Sequence, residues 1–325
     1  MDVLYNQFFE TPAYPVATFT GQTVIVTGSN VGLGLEAARH FARLDAAKVI
    51  LAVRNVSAGQ EAKQDIEESA GRSDVCEVWE LDLASFESVK AFAARASTLP
   101  RLDVVVENAG IATTTYTKSE RHERTITVNV ISTFLLALLL LPKLKETAKE
   151  IPSSTPHISI VSSEVHSWAK LEEWKADRVF DILSDEKTAN MRERYPASKL
   201  LEILVVRHIA PKLAGSGVIL NMLNPGLCHS SLQRENMSNA FARVAIGIAM
   251  SIFARTTEVG SRTLVAAAAA GPDTHGAYMT NGREGNAALS PFVKSEDGKK
   301  AQEKIWNELS EILEGIQPGI TAVLS

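Results

Sequence analysis

The hydrophobic pattern changes its period along the chain. Short β-branched runs at Thr23–Thr27, Lys48–Val53, Glu77–Leu81, Val104–Val106, Ile158–Ser162 and Val218–Leu223 predict strands. Between the early runs, Leu33–Leu44, Ala58–Ser69 and Ser85–Ala96 repeat their apolar residues at helical spacing. Near-continuous apolar strands alternating with amphipathic helices predict βαβ units and a parallel sheet buried on both faces. With right-handed crossovers the fold class is α/β: a single-domain, doubly wound parallel sheet of Rossmann type, with helices on both faces. Residues 1–20 form an aromatic-sprinkled arm before the first strand, and 21–325 read as one domain.

Two other patterns refine this outline. Thr125 to Pro142 is an uncharged stretch of eighteen residues, close to the length of a membrane span. Asn129, Ser132 and Thr133 interrupt it, which favours a buried helix and no membrane span. Ile305, Trp306, Leu309, Ile312 and Leu313 place an amphipathic helix in Ser295–Gly315, and Ala266–Ala270 before Gly271-Pro272 reads as a helix and its stop.

Composition narrows the function classes. A formal charge of −5 on 325 residues, without a basic block, argues against nucleic acid as a partner. Cys76 and Cys228 cannot build a disulfide framework and fit a reducing compartment. Residues Met1 to Tyr5 lack a basic and apolar leader, so a cytoplasmic location is expected. The seven histidines lack metal-ligand spacing, and no metal is expected. His166 and His229 are read as pocket-lining or solvated.

Candidate chemistry collects where strands end. Gly28-Ser29-Asn30-Val31-Gly32-Leu33-Gly34 follows the first strand and opens a helix. Gly28 can turn tightly, while Gly32 and Gly34 would let backbone amides approach a pyrophosphate. The spacing is GxxxGxG, and an ordinary tight turn is the alternative. Arg54, after a neutral Val53, is a cation suited to a ribose 2′-phosphate, or else a solvated loop arginine. Asp82 could accept from an adenine amino group or cap the following helix. Tyr195-Pro196-Ala197-Ser198-Lys199 sets a phenol and an ammonium four residues apart on one helix face. The ammonium would draw the phenol's pKa down toward working pH and make it a general acid/base. Ser162-Ser163, Asn108-Ala109-Gly110 and Asn224-Pro225-Gly226 mark three further strand ends, and Asn129 interrupts the apolar helix.

In this order, TGSNVGLG, Asp82-Leu83, NAG, Asn129, the serine pair, YPASK and NPG resemble the short-chain dehydrogenase/reductase family over about residues 21–290. The resemblance is greatest to its retinol-dehydrogenase-like branch and to fungal members associated with secondary metabolism. It implies an oxidoreductase that uses NADP(H) on a ketone or secondary alcohol of a hydrophobic small molecule. By that resemblance Tyr195, Lys199, Ser163 and Asn129 are catalytic, with Ser162 the fallback for Ser163. Tyr195 exchanges the proton, Lys199 lowers its pKa and holds the nicotinamide ribose, Ser163 polarises the substrate, and Asn129 anchors a water relay. Gly28, Ser29, Asn30, Gly32, Leu33, Gly34, Arg54, Asp82, Leu83, Asn108, Ala109, Gly110, Pro225, Gly226 and Ser230 bind cofactor together with Tyr195 and Lys199. The Asn129 and Tyr195 helices are implied as a homodimer face.

Two departures stand out. Glu107 occupies the first position of the family's Asn-Asn-Ala-Gly, and thirty-one residues separate Ser163 from Tyr195. The 164–194 segment is read either as pocket wall and lid or as a structural insertion. A substrate lid is expected at about 227–255, covering an apolar substrate or resting on a membrane surface. Alternative functions are a non-catalytic dinucleotide-binding regulator and a cofactor-assisted rearrangement or dehydration enzyme.

Overall fold

The computed structural model describes residues 10–229 and 254–325. Ser230 and most of the expected lid, up to residue 253, lie outside the described residues. One eight-stranded sheet runs through the molecule: β1 (Thr23–Thr27), β2 (Lys48–Val53), β3 (Cys76–Glu80), β4 (Val104–Glu107), β5 (His157–Val161), β6 (Ile219–Asn224), β7 (Tyr278–Thr280) and β8 (Arg283–Glu284). Their spatial order is β8-β7-β6-β5-β4-β1-β2-β3. Every pairing is parallel except the short β7–β8 edge. The six expected strands are present within a residue at each end; β7 and β8 were not expected.

Period-two alternation assigns each strand's side chains to two cores. Ile25, Val105, Ile158 and Leu220 face one core. Helices α3 (Phe86–Ala96), α4 (Arg124–Glu150), α5 (Met191–Ile209) and α7 (Glu296–Ile316) complete it. Val24, Val26, Val104 and Val106 face the other, under α1 (Gly32–Arg43), α2 (Val56–Ala70) and α6 (Thr257–Ala268). The fold is thus a single α/β domain with helices on both faces.

Among the described residues α4 alone is long and apolar enough to cross a membrane, and 89% of its most apolar window is buried inside the protein. Its neighbours explain why. Trp306 on α7 stacks on His208 of α5, with ring centroids 5.6 Å apart, and the C-terminal Val323 carbonyl accepts from Lys145 Nζ at 2.6 Å. The outer faces of α4 and α5, implied above as a dimer surface, are therefore crossed by the chain's own C-terminal elements.

The 164–194 segment divides its roles. Leu171, Val179, Phe180 and Leu183 are buried in the core. The Glu308 carboxylate on α7 accepts from the amides of Val179 and Phe180, at 2.8 and 3.2 Å, and so caps the short helix they begin. Glu164, Val165, Trp168, Met191 and Arg192 instead line a cavity. His166 is neither pocket-lining nor solvated. Its Nδ1 lies 2.7 Å from the Ser163 carbonyl, and its Nε2 accepts from the Ser290 amide at 3.1 Å. Burial holds its pKa below the ordinary histidine value.

Candidate active site

Strand order reverses between β1 and β4, and ligand crevices of open α/β sheets lie at such points, beyond the strands' carboxyl ends. Thr27 ties the two ends together. Its Oγ1 accepts from the amides of Asn108 (3.0 Å) and Ala109 (2.8 Å), and Asn108 Nδ2 donates to the Thr27 carbonyl at 2.9 Å. Asn108 is thereby a clasp as well as a wall.

A groove of about 340 Å³ opens here. Gly28, Asn30, Gly32, Leu33, Arg54, Asp82, Leu83, Asn108, Ala109 and Gly110 line it, all expected cofactor residues. Gly28 and Gly32 take left-handed φ of 65°, a region open to glycine at little cost. The first turn of α1 has neither a side-chain cap nor an acidic residue, so its free amides suit an anion. Arg54 is exposed at the rim and makes no ion pair among the described residues. Asp82 Oδ1 accepts from the Ala84 amide at 2.9 Å, while the cap of α3 is Ser85.

Two expected cofactor residues stand behind this wall. Ser29 is fully buried, and its hydroxyl donates to the Val26 carbonyl at 2.8 Å. At Gly34 a Cβ would lie 2.5 Å from Asn108 Nδ2 and 2.6 Å from the Gly28 carbonyl oxygen. The absence of a side chain at Gly34 thus admits the close approach of Asn108. Sequence reasoning missed Asn55, Ile111, Arg124 and Val128 in the groove. None belongs to a local motif, and only the assembled fold brings Arg124 and Asp82 to one groove.

The groove runs into a second cavity of about 370 Å³, sharing Leu33, Asn108 and Gly110 with it. Ser162, Ser163, Tyr195, Lys199, Pro225 and Gly226 meet there, with Trp168, Met191, Leu227 and Cys228 adding apolar surface. Cys228, read earlier only for redox compartment, is buried, with its thiol pushed up to about 12 by desolvation. Lys199 Nζ donates to the Val161 carbonyl and to Glu202 Oε1, both at 2.8 Å. Burial opposes its charge, but Glu202 and Tyr195 outweigh that and hold its pKa above the ordinary value. Ser163, not Ser162, is the hydroxyl hydrogen-bonded to Tyr195; Ser162 Oγ donates to the Lys199 carbonyl at 3.1 Å.

One expectation needs correction. Burial raises the Tyr195 pKa; Lys199 and the Ser163 hydrogen bond pull it down, Glu202 pushes it up, and the net shift is upward. The ammonium acts in the expected direction but is outweighed. Asn129 is fully buried outside both cavity walls, in a π-helical turn, Thr127–Ile131. Its Oδ1 accepts from the Ile111 amide, and its Nδ2 donates to the Ile111 carbonyl and Ser198 Oγ, at 2.9 to 3.0 Å. Its side chain thereby clasps the segment at Ile111 to α5.

Comparisons with known proteins agree with this geometry. A short chain dehydrogenase family model matches residues 22–163. The short chain dehydrogenase/reductase dmxR8 of Cryptosporiopsis sp. is 47% identical over 330 residues, 99% of each chain. The short-chain dehydrogenase anuD of Penicillium roqueforti is 48% identical over all of this chain and 86% of its own. Among solved structures, the Pseudomonas aeruginosa RhlG/NADP active-site complex superposes with a TM-score of 0.61 at 21% identity, over 85% of this chain and all of that one. NADPH-bound carbonyl reductase from chicken fatty liver gives 0.60 at 22% identity, over 82% and 99%. Near-full-length identity to such relatives, on a reversed-order sheet with this tyrosine and lysine at its edge, means that the chain belongs to the short-chain dehydrogenase/reductase family.

Proposed function

We propose that the protein is an NADP(H)-dependent oxidoreductase acting on a ketone or secondary alcohol of a hydrophobic small molecule. The observation that carries this reading is the continuity of the two cavities, which meet at Leu33, Asn108 and Gly110. A dinucleotide spanning both would end beside Tyr195, Ser163 and Lys199. Free α1 amides suit its pyrophosphate, and Arg54 suits a 2′-phosphate. Asp82 and Leu83 would border the adenine, and Pro225-Gly226 the nicotinamide.

When bound, the nicotinamide supplies a hydride to the carbonyl carbon or accepts one from the alcohol. In reduction the Tyr195 phenol donates its proton to the carbonyl oxygen, and Ser163 donates a hydrogen bond to the same oxygen. In oxidation both movements reverse. A phenol held above its ordinary pKa stays protonated at neutral pH, which favours the acid role. Two of Lys199's three ammonium protons are committed to Val161 and Glu202, leaving one to face the cavity.

The substrate end supports a hydrophobic ligand. Val165, Trp168, Met191, Pro196 and Leu227 line it, and Trp168 is 68% exposed at the rim. A role in secondary metabolism rests on the motif resemblance and on near-full-length identity to fungal relatives. A cytoplasmic location rests on Cys76 and Cys228 being buried and free. The intact tyrosine, lysine and serine set favours catalysis over a regulator that only binds dinucleotide. Titration with NADPH and NADH tests the cofactor reading: NADPH should bind more tightly, and equal or better binding of NADH contradicts it.

A further inference from the structure

Residues 10–19 of the N-terminal arm belong to no helix or strand, yet arginines of the body hold them along their length. Pro12 and Pro15 have no N–H to offer, and their carbonyls accept from Arg262 Nη1 on α6 and Arg43 Nη2 at the end of α1, both at 3.0 Å. The Tyr14 ring centroid lies 4.4 Å from the Arg43 guanidinium and 5.1 Å from that of Arg262. Phe19 is buried against Phe41 of α1. At the other end, the Glu10 carboxylate accepts from Asn281 Nδ2 at 3.0 Å and from Arg283, which fixes it to the β7–β8 turn. The Glu10 carbonyl accepts from Arg255 Nη2 at 2.7 Å.

Arg255 carries this connection into the cavity. Its Nη1 donates to the Pro225 carbonyl at 3.3 Å, its amide donates to the Leu227 carbonyl at 2.8 Å, and its own carbonyl accepts from the His229 amide at 3.0 Å. The Pro225-Gly226 turn that it grips lines the cavity and contains a left-handed glycine, Gly226, with φ 79°. Two hydrogen bonds of that turn are local: the Gly226 amide donates to Asn224 Oδ1 at 3.1 Å, and the Cys228 thiol to the Pro225 carbonyl at 3.5 Å. Arg255, thirty residues beyond Pro225, ties the turn to the arm.

We propose that the arm is a strap, and that Glu10 and Arg255 are positioning residues which hold the Pro225-Gly226 turn in place for the nicotinamide end of the cofactor. The inference rests on the functional reading, in which that turn borders the nicotinamide. A turn ordered before binding spares the cofactor the cost of ordering it. A planar guanidinium can reach carbonyls on two segments at once in a fixed geometry, which an ammonium does less well. Glu10 sets where the outer of those two carbonyls stands.

Two ligands separate the ends of the cofactor in a binding titration of the full chain: NADPH, and adenosine 2′,5′-bisphosphate, which has the 2′-phosphate but no nicotinamide. In Arg255→Ala, NADPH should bind about three- to tenfold more weakly while the bisphosphate stays within about twofold of wild type. Arg255→Lys should recover part of the loss, since its ammonium still reaches one carbonyl. Glu10→Ala should give a smaller loss in the same direction, and less than its full effect when added to Arg255→Ala, because both act on one connection. Equal weakening of the two ligands overturns the strap, since general loosening of the fold would do the same. Unchanged NADPH affinity in Arg255→Ala overturns it as well. If Arg255→Ala does not fold, the ratio of the two affinities in Glu10→Ala, whose side chain is partly exposed, decides by the same criterion. If the wild type binds neither ligand, the cofactor reading has failed and the strap with it. If the wild type binds both and the variants leave their ratio unchanged, the strap alone has failed.

Discussion

The two halves of the crevice are built from different materials. On the β1–β2 side the chain presents backbone: left-handed glycines, uncapped helix amides and a clasp of main-chain hydrogen bonds around Thr27. On the β5–β6 side it presents buried ionisable side chains, with Tyr195, Lys199, Glu202 and Glu107 drawn from a helix and a strand end. Backbone donors carry no proton to lose, so the first half works alike across pH. The second half is a charge balance, in which each group's protonation is set by its neighbours. Binding and chemistry should therefore respond to different substitutions.

The sharpest way to break this division is Tyr195→Phe. Loss of the general acid should cut kcat by about 10²–10⁴-fold while dinucleotide affinity stays within a few-fold. Steady-state rates beside a binding titration check it, and a parallel loss of affinity would merge the two halves. Arg54→Ala should act in the opposite sense. One charge-assisted contact is worth about 1.5–3 kcal/mol, so NADPH should bind roughly 10–100-fold more weakly, with NADH hardly affected. An unchanged preference contradicts the role of Arg54.

Two smaller effects test the scaffold. Gly34→Ala forces a Cβ against Asn108 and the Gly28 carbonyl, and should cost about 1–3 kcal/mol in denaturant unfolding. No loss would mean that the clasp yields freely. His166 is held neutral by burial, whereas the unfolded chain's histidine takes a proton below about pH 6.5. Its contribution is thus present above that pH and lost as pH falls through it. The Tm difference between wild type and His166→Gln should narrow from pH 8 to pH 5.5. A constant difference would show that His166 does not titrate on unfolding.

The same contrast governs what could be read from the sequence. Thr23–Thr27 and Lys48–Val53 have the bounds their β-branched runs predict, because both strands are buried on both faces and tolerate no polar phase. The glycine motif was legible because its residues act within one turn of their neighbours. The partners of the Ser29 hydroxyl and the close packing at Gly34 were not legible within it, since motif membership does not say which side of the wall a residue faces. Tyr195 and Lys199 were visible through helical spacing. The net direction of the tyrosine shift was not, because it depends on burial and on Glu202, neither of which leaves a local signature. Asn129 was flagged as a polar residue in an apolar helix, but its partners Ile111 and Ser198 come from other segments. His166 was read as site or solvent because Ser290, which fixes it, lies far along the chain. The short strands β7 and β8 carry too few residues for a periodic pattern.

The central claim is that hydride passes between NADP(H) and a carbonyl carbon at the cavity holding Tyr195. Inactivating the gene in its native host, and restoring it with either wild type or Tyr195→Phe, should identify a hydrophobic carbonyl or alcohol that accumulates except with the wild type. If that compound is a carbonyl, incubating it with the protein and NADPH deuterated at the transferable position should place one deuterium on the new carbinol carbon. If it is an alcohol deuterated at that carbon, the label should appear in NADPH. Conversion of the compound by the wild-type protein without transfer of label between nicotinamide and substrate would contradict the account.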